Sequence, residues 1–478
     1  TDSDTEVIVH AYEEHGVKCL DSLRGMFAFA LWDARRNMLF CARDRIGQKP
    51  FCYRAESGRF LFASEIKALL QLDDVPRSLH LPALHDYLTY QYVPHPMPMF
   101  EGIRKLPPAH FLVWKDGQLR VEEYWRPEFI PDPRLDEAEA METLESKLTE
   151  AVKLRLISDV PLGAFLSGGL DSSIVVGLMA CLSDRPVKTF AIGFEEKRYD
   201  ELNYARLVAE HFGTDHNEFV VRPDAVEILP KLVWHYDEPF ADSSAIPTWY
   251  VSRETRRHVK VALTGDGGDE AFAGYPRYKA VKLAQWFDRL PAFSRRMLAG
   301  SGWNRLPVSV EQKTWRRRAQ RLFLALNMPR RERYARWCAI FDDTRKHALY
   351  SDALRSEVGE KPSWRVFDAE YEKARQSDFI GATTFVDIMR YLPDDLCCKV
   401  DTASMAHSLE CRAPFLDHEV MEFIARLPTR LKLRRFTGKY LLRRTFGDML
   451  PPTILKRSKM GFGVPIAEWF RNDLRAYL

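Results

Sequence analysis

The seven residues Ser167-Gly168-Gly169-Leu170-Asp171-Ser172-Ser173 constrain the fold of this 478-residue chain more than any other stretch. They lie between an apolar run ending at Leu166 and an apolar segment of helical pattern over 172–182. Glycines let a backbone approach an anion closely. Loop N–H groups and a helix N-terminus add the positive potential that phosphate needs. The spacing is neither the mononucleotide G-x-x-x-x-G-K-[ST] nor the dinucleotide G-x-G-x-x-G. It predicts a strand, a pyrophosphate-sized loop and a helix in succession. A capped tight turn would explain the glycines but not the coincidence of Asp171, Ser172 and Ser173.

A second loop, Leu263-Thr264-Gly265-Asp266-Gly267-Gly268-Asp269-Glu270, follows another apolar run. Ligands of open α/β sheets sit at the carboxyl ends of the strands, so both loops are expected to face one crevice. Magnesium takes one or two carboxylates plus phosphate oxygens, which suits Asp171 from one loop and Asp269 from the other. Alone, three acids in a glycine-rich turn would serve equally well as solvated turn formers. The first loop decides the matter.

Strand and helix patterns alternate around these loops: strand 160–166, helix 172–182, strand 187–194, helix 200–212, and strands 216–221 and 259–264. Such alternation predicts parallel βαβ units, and from about 275 onward the pattern is mostly helical. Upstream, Glu6 to His15 reads as a helix behind a capping box, Ser3-Asp4-Thr5-Glu6, and 26–66 reads as short strands and turns. The proline-punctuated stretch after Trp125 marks a linker. The expected division is 1–126, a linker over 127–137, and 138–478.

Composition excludes several classes. With 70 basic and 67 acidic residues the net charge is +3, too little for a global field that recruits nucleic acid or an anionic membrane. No apolar run approaches the roughly 20 residues of a membrane span. Eight cysteines without a C-x-x-C pair suggest neither zinc nor a redox site and fit the cytosol. The arginines between 295 and 333 alternate with Trp315, Leu322 and Phe323 as on an amphipathic helix with a solvated face.

Ser167 to Ser173 resembles the pyrophosphate loop of the N-type ATP pyrophosphatases. Together with Thr264 to Glu270 it resembles the asparagine synthetase family. The region Asp401 to Asp417, with Leu409-Glu410-Cys411-Arg412 and Pro414-Phe415-Leu416-Asp417, is similar to that family's synthetase domain. Leu23 to Ala28, Ala42-Arg43-Asp44-Arg45-Ile46-Gly47 and Phe62 to Lys67 resemble the class II glutamine amidotransferase domain that precedes it. The likeness spans nearly the whole chain.

The resemblance implies an α+β sandwich of the N-terminal-nucleophile hydrolase type, partial here. An α/β doubly wound parallel-sheet ATP-pyrophosphatase domain with a helical C-terminal extension would follow. It implies a ligase using ATP and Mg2+: aspartate becomes β-aspartyl-AMP, and ammonia from glutamine displaces AMP. Carried over, Leu166 and Ile192 frame the adenine, and Thr264 and Gly265 contact nucleotide. Ser167, Gly168, Gly169, Ser172 and Ser173 form the pyrophosphate loop, while Asp171 and Asp269 hold metal and pyrophosphate. Asp266 stands where many members have Glu, at a position tied to the intermediate, and is shorter by about one methylene. Lys459 matches the late catalytic lysine through a short, diverged motif, with Lys399 the alternative. Glu238 to Ser244 resembles the aspartate-side loop, although Ser243 and Ser244 also fit helix caps.

Class II amidotransferases use a cysteine at the mature N-terminus as nucleophile. By the resemblance Ser3 to Glu6 is internal, Asp4 grips the glutamine α-amino group, and the cysteine belongs upstream of Thr1. Cys19, Cys41 and Cys52 have no free amine beside them, so the chain reads as a fragment, with 466–478 ending in an uncapped helical pattern. The expected partners are aspartate, glutamine or ammonia, and ATP, with no nucleic acid and no membrane, and a homodimer left open. Two rivals stand beside this reading. One is amidation of another carboxylate, such as a polysaccharide sugar or β-lactam precursor; the other is a silent nucleotide-binding protein.

Overall fold

A computed structural model describes residues 3–56, 58–194, 201–221, 225–300, 303, 315–359, 362–457, 463–464, 469–471 and 475. The first unit contains seven strands: β1 (Ala28–Asp33), β2 (Met38–Arg43), β3 (Cys52–Glu56), β4 (Arg59–Ala63), β5 (Arg104–Lys105), β6 (His110–Lys115) and β7 (Gln118–Glu123). They form a four-stranded antiparallel sheet in the order β1-β2-β6-β7 and a three-stranded sheet in the order β4-β3-β5. β2 is buried on both faces because its alternating residues serve two cores. Phe40 and Ala42 pack with Tyr12 of the helix Asp4–His15, whereas Cys41 packs with Phe51 and Leu112. The Tyr12 and Phe40 rings stack at 5.5 Å. Ser3 caps this helix by accepting from the Thr5 amide at 3.3 Å. The Glu6 amide also donates to the Ser3 carbonyl at 3.2 Å.

The stretch expected to be a linker is clamped. Phe129 is buried and meets the Phe385 ring edge-on at 5.0 Å. The helix Glu137–Arg155 starts at its last residue, capped by Asp136, which accepts from the Ala138 amide at 2.9 Å.

The second unit is built on a five-stranded parallel sheet of β8 (Leu162–Phe165), β9 (Lys188–Phe194), β10 (Asp215–Val221), β11 (Val261–Leu263) and β12 (Glu410–Arg412). Its order is β10-β9-β8-β11-β12. The chain therefore winds outward from β8 through β9 to β10, then crosses back to β11 on the other side of β8. Adjacent strands whose connections leave in opposite directions open a crevice at their carboxyl ends. β12 interrupts the mostly helical stretch expected beyond 275, as do the short strands Leu433–Arg434 and Thr437–Gly438. A three-residue strand, two of whose residues are charged, is too short to show a period of two.

Between β8 and β9 runs the helix Leu170–Leu182, whose Ile174, Val175, Val176 and Met179 are almost wholly buried. A helix apolar on all sides must lie inside, and burying each such side chain contributes roughly 1.5–3 kcal/mol. That anchoring holds the loop before it in place. Among the described residues no helix is long and apolar enough to cross a membrane.

Candidate active site

The loops after β8 and β11 meet at the crevice, as the strand order requires. Gly168 has φ +62° and lies against the backbone of Tyr204, a conformation and a clearance that only glycine provides. Gly268 lets the second loop touch the first, since a Cβ there would stand 2.7 Å from the Asp171 carboxyl carbon.

Asp171 and Asp269 are drawn together as expected, but what joins them is a lysine. Lys439 Nζ lies 2.6 Å from Asp269 Oδ1 and also donates to Asp171 Oδ2. Burial works against the ammonium, yet Asp171 and Asp269 outweigh it and hold the group above the ordinary lysine value. Lys439 follows the hairpin of β13 (Leu433–Arg434) and β14 (Thr437–Gly438) in a left-handed conformation, φ +55°. The hairpin and this left-handed turn bring the Lys439 ammonium to the two loops. No sequence motif singles it out.

The crevice opens into a cavity of about 790 Å³. Of the residues marked by sequence, Leu166, Ser167, Gly169, Asp171, Ser172, Ile192, Thr264, Gly265, Asp266, Asp269 and Lys399 line it. Gly168 and Ser173 stand behind the surface, Ser173 fully buried. The buried hydroxyls of Thr264 and Ser173 have no hydrogen-bond partner among the described residues. Buried polar atoms ordinarily find partners, so an orphaned hydroxyl on a cavity wall fits a polar ligand. Leu166 and Ile192, both buried, offer an apolar patch suited to a base.

Lys399 lies on a second wall. It donates to Asp242 Oδ2 at 3.1 Å, and its charge, opposed by burial, is upheld by Asp242, Asp395 and Asp266. Burial and then the Asp242 charge push the Asp395 carboxyl far above the carboxylate range, while the Lys399 ammonium offsets burial at Asp242 and keeps it below. Ser244 donates to Asp242 at 2.7 Å, so it positions this carboxylate as well as preceding the helix Ala245–Arg256. Asp266 and Thr264 also border a smaller cavity of about 30 Å³, which reaches Met26 and Gln48 of the first unit.

Arg457 closes the first loop from outside: it donates to the Ser167 carbonyl at 3.0 Å, pairs with Glu201 and stacks on Tyr204. Lys459 lies outside the described residues. Asp4 is exposed at the start of its helix, where it accepts from the Thr5 hydroxyl at 3.4 Å, away from the crevice.

Two family models divide the chain much as the fold does. Residues 143–478 match the asparagine synthase model, and residues 1–125 match the glutamine amidotransferase domain. The chain belongs to the asparagine synthase family. It is 34% identical over 483 residues to asparagine synthetase [glutamine-hydrolyzing] 1 of Bacillus subtilis, covering 100% of this chain and 74% of that protein. A putative asparagine synthetase [glutamine-hydrolyzing] of Mycobacterium bovis is 36% identical, covering 98% and 72%. A putative second one from Methanocaldococcus jannaschii is 35% identical over 413 residues, covering 85% and 77%. The asparagine synthase match contains both crevice loops, Lys399 and Lys439.

Proposed function

We propose that this crevice adenylates the side-chain carboxylate of aspartate with ATP and lets ammonia displace AMP, giving asparagine and pyrophosphate. The observation that carries the reading is the pair of glycine-rich loops at the sheet's switch point, with Asp171 and Asp269 joined through Lys439 on one cavity wall.

In the first half-reaction a carboxylate oxygen bonds to the α-phosphorus as the bond to pyrophosphate breaks. Negative charge grows on the leaving oxygens, where loop N–H groups and the Lys439 ammonium supply fixed positive potential. In the second, the ammonia nitrogen bonds to the acyl carbon and AMP departs. Thr264 and Gly265 flank the nucleotide, and Leu166 with Ile192 takes the base. Lys399, fixed by Asp242, is placed to receive the aspartate carboxylates, while Asp266 borders both the crevice and the smaller cavity toward the first unit.

The donor set also fits Mg2+, because two carboxylates and phosphate oxygens suit its coordination. Asp171 and Asp269 would hold it, and it would neutralise charge on the phosphates. Glutamine is the proposed nitrogen source in the first unit, with Asp4 toward its α-amino group, and the cytoplasm the proposed compartment.

The test is pyrophosphate release from ATP and magnesium, with and without aspartate, with ammonia supplied directly. Aspartate-dependent release, matched mole for mole by asparagine, is expected. Release that ignores aspartate, or none from a folded sample, would overturn the reading.

A further inference from the structure

Beyond the two loops, the same cavity carries a second set of charges that the adenylation reading does not use. Lys279 on the helix Pro276–Phe287, Arg318 on the helix Trp315–Ala325 and Arg443 on the helix Tyr440–Thr445 line it together. Three separate helices thus deliver cations to one wall.

None of the three has a carboxylate partner among the described residues. Among the described residues Arg443 donates to backbone, to the carbonyls of Gly438 and Leu455. Lys279 feels Arg443 and Arg318, both cations, on top of burial, and all three effects disfavour its charge. Its neighbours on the same helix are settled. Arg277 pairs with Asp387 at 2.9 Å, and Lys282 donates to the Leu433 carbonyl at 3.0 Å. Three cations on one wall, none of them in an ion pair with a carboxylate among the described residues, are unfavourable unless an anion completes them.

The set also has a direction. Arg443 is half-buried and feels Asp171, the carboxylate of the first loop. Lys279, half-buried, feels Arg443, and Arg318 is exposed. Arg443 and Lys279 are half-buried and Arg318 is exposed on the one wall, so the three cations grade from the interior of the cavity to solvent. An anion leaving the loop along this wall exchanges one cation for the next.

We propose that Lys279, Arg318 and Arg443 form a second anion subsite that takes the leaving pyrophosphate and passes it to solvent. The inference rests on the adenylation reading, since that reaction supplies the pyrophosphate. The bond to the α-phosphorus is already broken when the subsite fills, and no further chemistry occurs there. Product release limits many enzymes, so a release path of this kind sets turnover rather than substrate affinity.

The experiment measures inhibition of ammonia-dependent asparagine formation by added inorganic pyrophosphate in the full chain, Lys279→Gln, Arg318→Gln and the double variant. Each lost charge should raise the inhibition constant about tenfold, and the double variant by about a hundredfold, while KM for ATP changes less than twofold. Added salt should weaken pyrophosphate inhibition more in the wild type than in the double variant. Lys279→Arg, which keeps the charge, should retain wild-type inhibition. Arg318 is exposed, so its variant keeps the test open should a change at Lys279 impair folding. An unchanged inhibition constant overturns the subsite. So does a KM for ATP that rises in step with it, because the cations would then hold the phosphates of bound ATP. Failure of the wild type to release pyrophosphate with aspartate would instead remove the adenylation reading itself.

Discussion

Charge is closed at the seam between the two units and open at the crevice. Across the seam, Asp417 accepts from Arg24 at 3.0 Å, and within the second unit it also accepts from Arg155 at 3.0 Å. Lys49 lies 2.6 Å from Asp401 and Lys67 2.9 Å from Asp237, while Lys105 pairs with Glu238. The buried Asp44 accepts from the amides of Ile46, Gln48 and Lys49, which fixes the loop that presents Lys49. Each of these groups has its opposite already in the protein. In the crevice, one lysine serves Asp171 and Asp269, one serves Asp242, Asp395 and Asp266, and three cations have no carboxylate partner among the described residues. Matched charge fixes a shape, whereas unmatched charge is retained where a ligand completes it.

The largest test of this difference is Lys439→Met. Two partly buried carboxylates would lose their shared cation. Removing one partner of such a group costs about 3–5 kcal/mol, which a fall in the urea midpoint should register. Aspartate-dependent pyrophosphate release should drop by about 10²- to 10³-fold, the usual loss when one group opposing transition-state charge is removed. Adding Asp269→Asn should restore much of the stability and none of the activity. Recovery of both would make Lys439 a structural strut and the crevice no different from the seam.

The seam answers oppositely in Asp417→Asn. Burial raises this carboxyl, but Arg24 and Arg155 prevail and hold it below the usual carboxylate range. A depressed carboxylate stabilises fully above its unfolded value of about 3.9 and loses that contribution as pH falls through the lower folded value. The variant should lose about 2–3 kcal/mol at pH 7 and show a shallower fall in urea midpoint below pH 4 than the wild type. Pyrophosphate release per folded molecule should stay at the wild-type level. A selective loss of release would place this seam pair within the reaction machinery.

Much of the crevice was legible in the sequence because its parts are contiguous. A glycine-rich loop behind an apolar strand carries its geometry in seven residues, so Ser167 to Ser173 and Thr264 to Glu270 could be placed together before any coordinates. The parallel sheet was legible for the same reason, through β11. What escaped was whatever depends on distant segments meeting. Lys439 lies 268 positions from Asp171, and neither residue signals the other. β12 is too short for periodicity, and the cations at 279, 318 and 443 resemble any solvated helix face until three helices converge. In the sequence Lys399 is no more than an alternative lysine, since its partner Asp242 is 157 positions away.

The smallest test concerns a cation that belongs to neither group. Lys432 is 1% exposed, its Nζ lies 4.9 Å from the Phe129 ring, and among the described residues Asp378 is the carboxylate whose charge favours it. If unmatched buried cations always marked ligand sites, Lys432 would mark one in the clamped linker. Burial, however, brings it down to about 7, so it escapes the need for a counter-ion by giving up its proton. The unfolded chain, with a lysine near 10.4, then binds more protons than the native state between pH 7 and 10, so stability must rise with pH across that window. The wild type should gain about 1 kcal/mol from pH 7 to 8, and Lys432→Met, which keeps the apolar stem, should lack that gain. Urea midpoints for both proteins at the two pH values decide it. A gain in the wild type alone leaves the crevice cations distinct, because Arg318 and Arg443 cannot shed a proton as Lys432 does. Equal slopes would mean that Lys432 stays charged against Phe129, and unmatched charge would then no longer separate a binding site from a core.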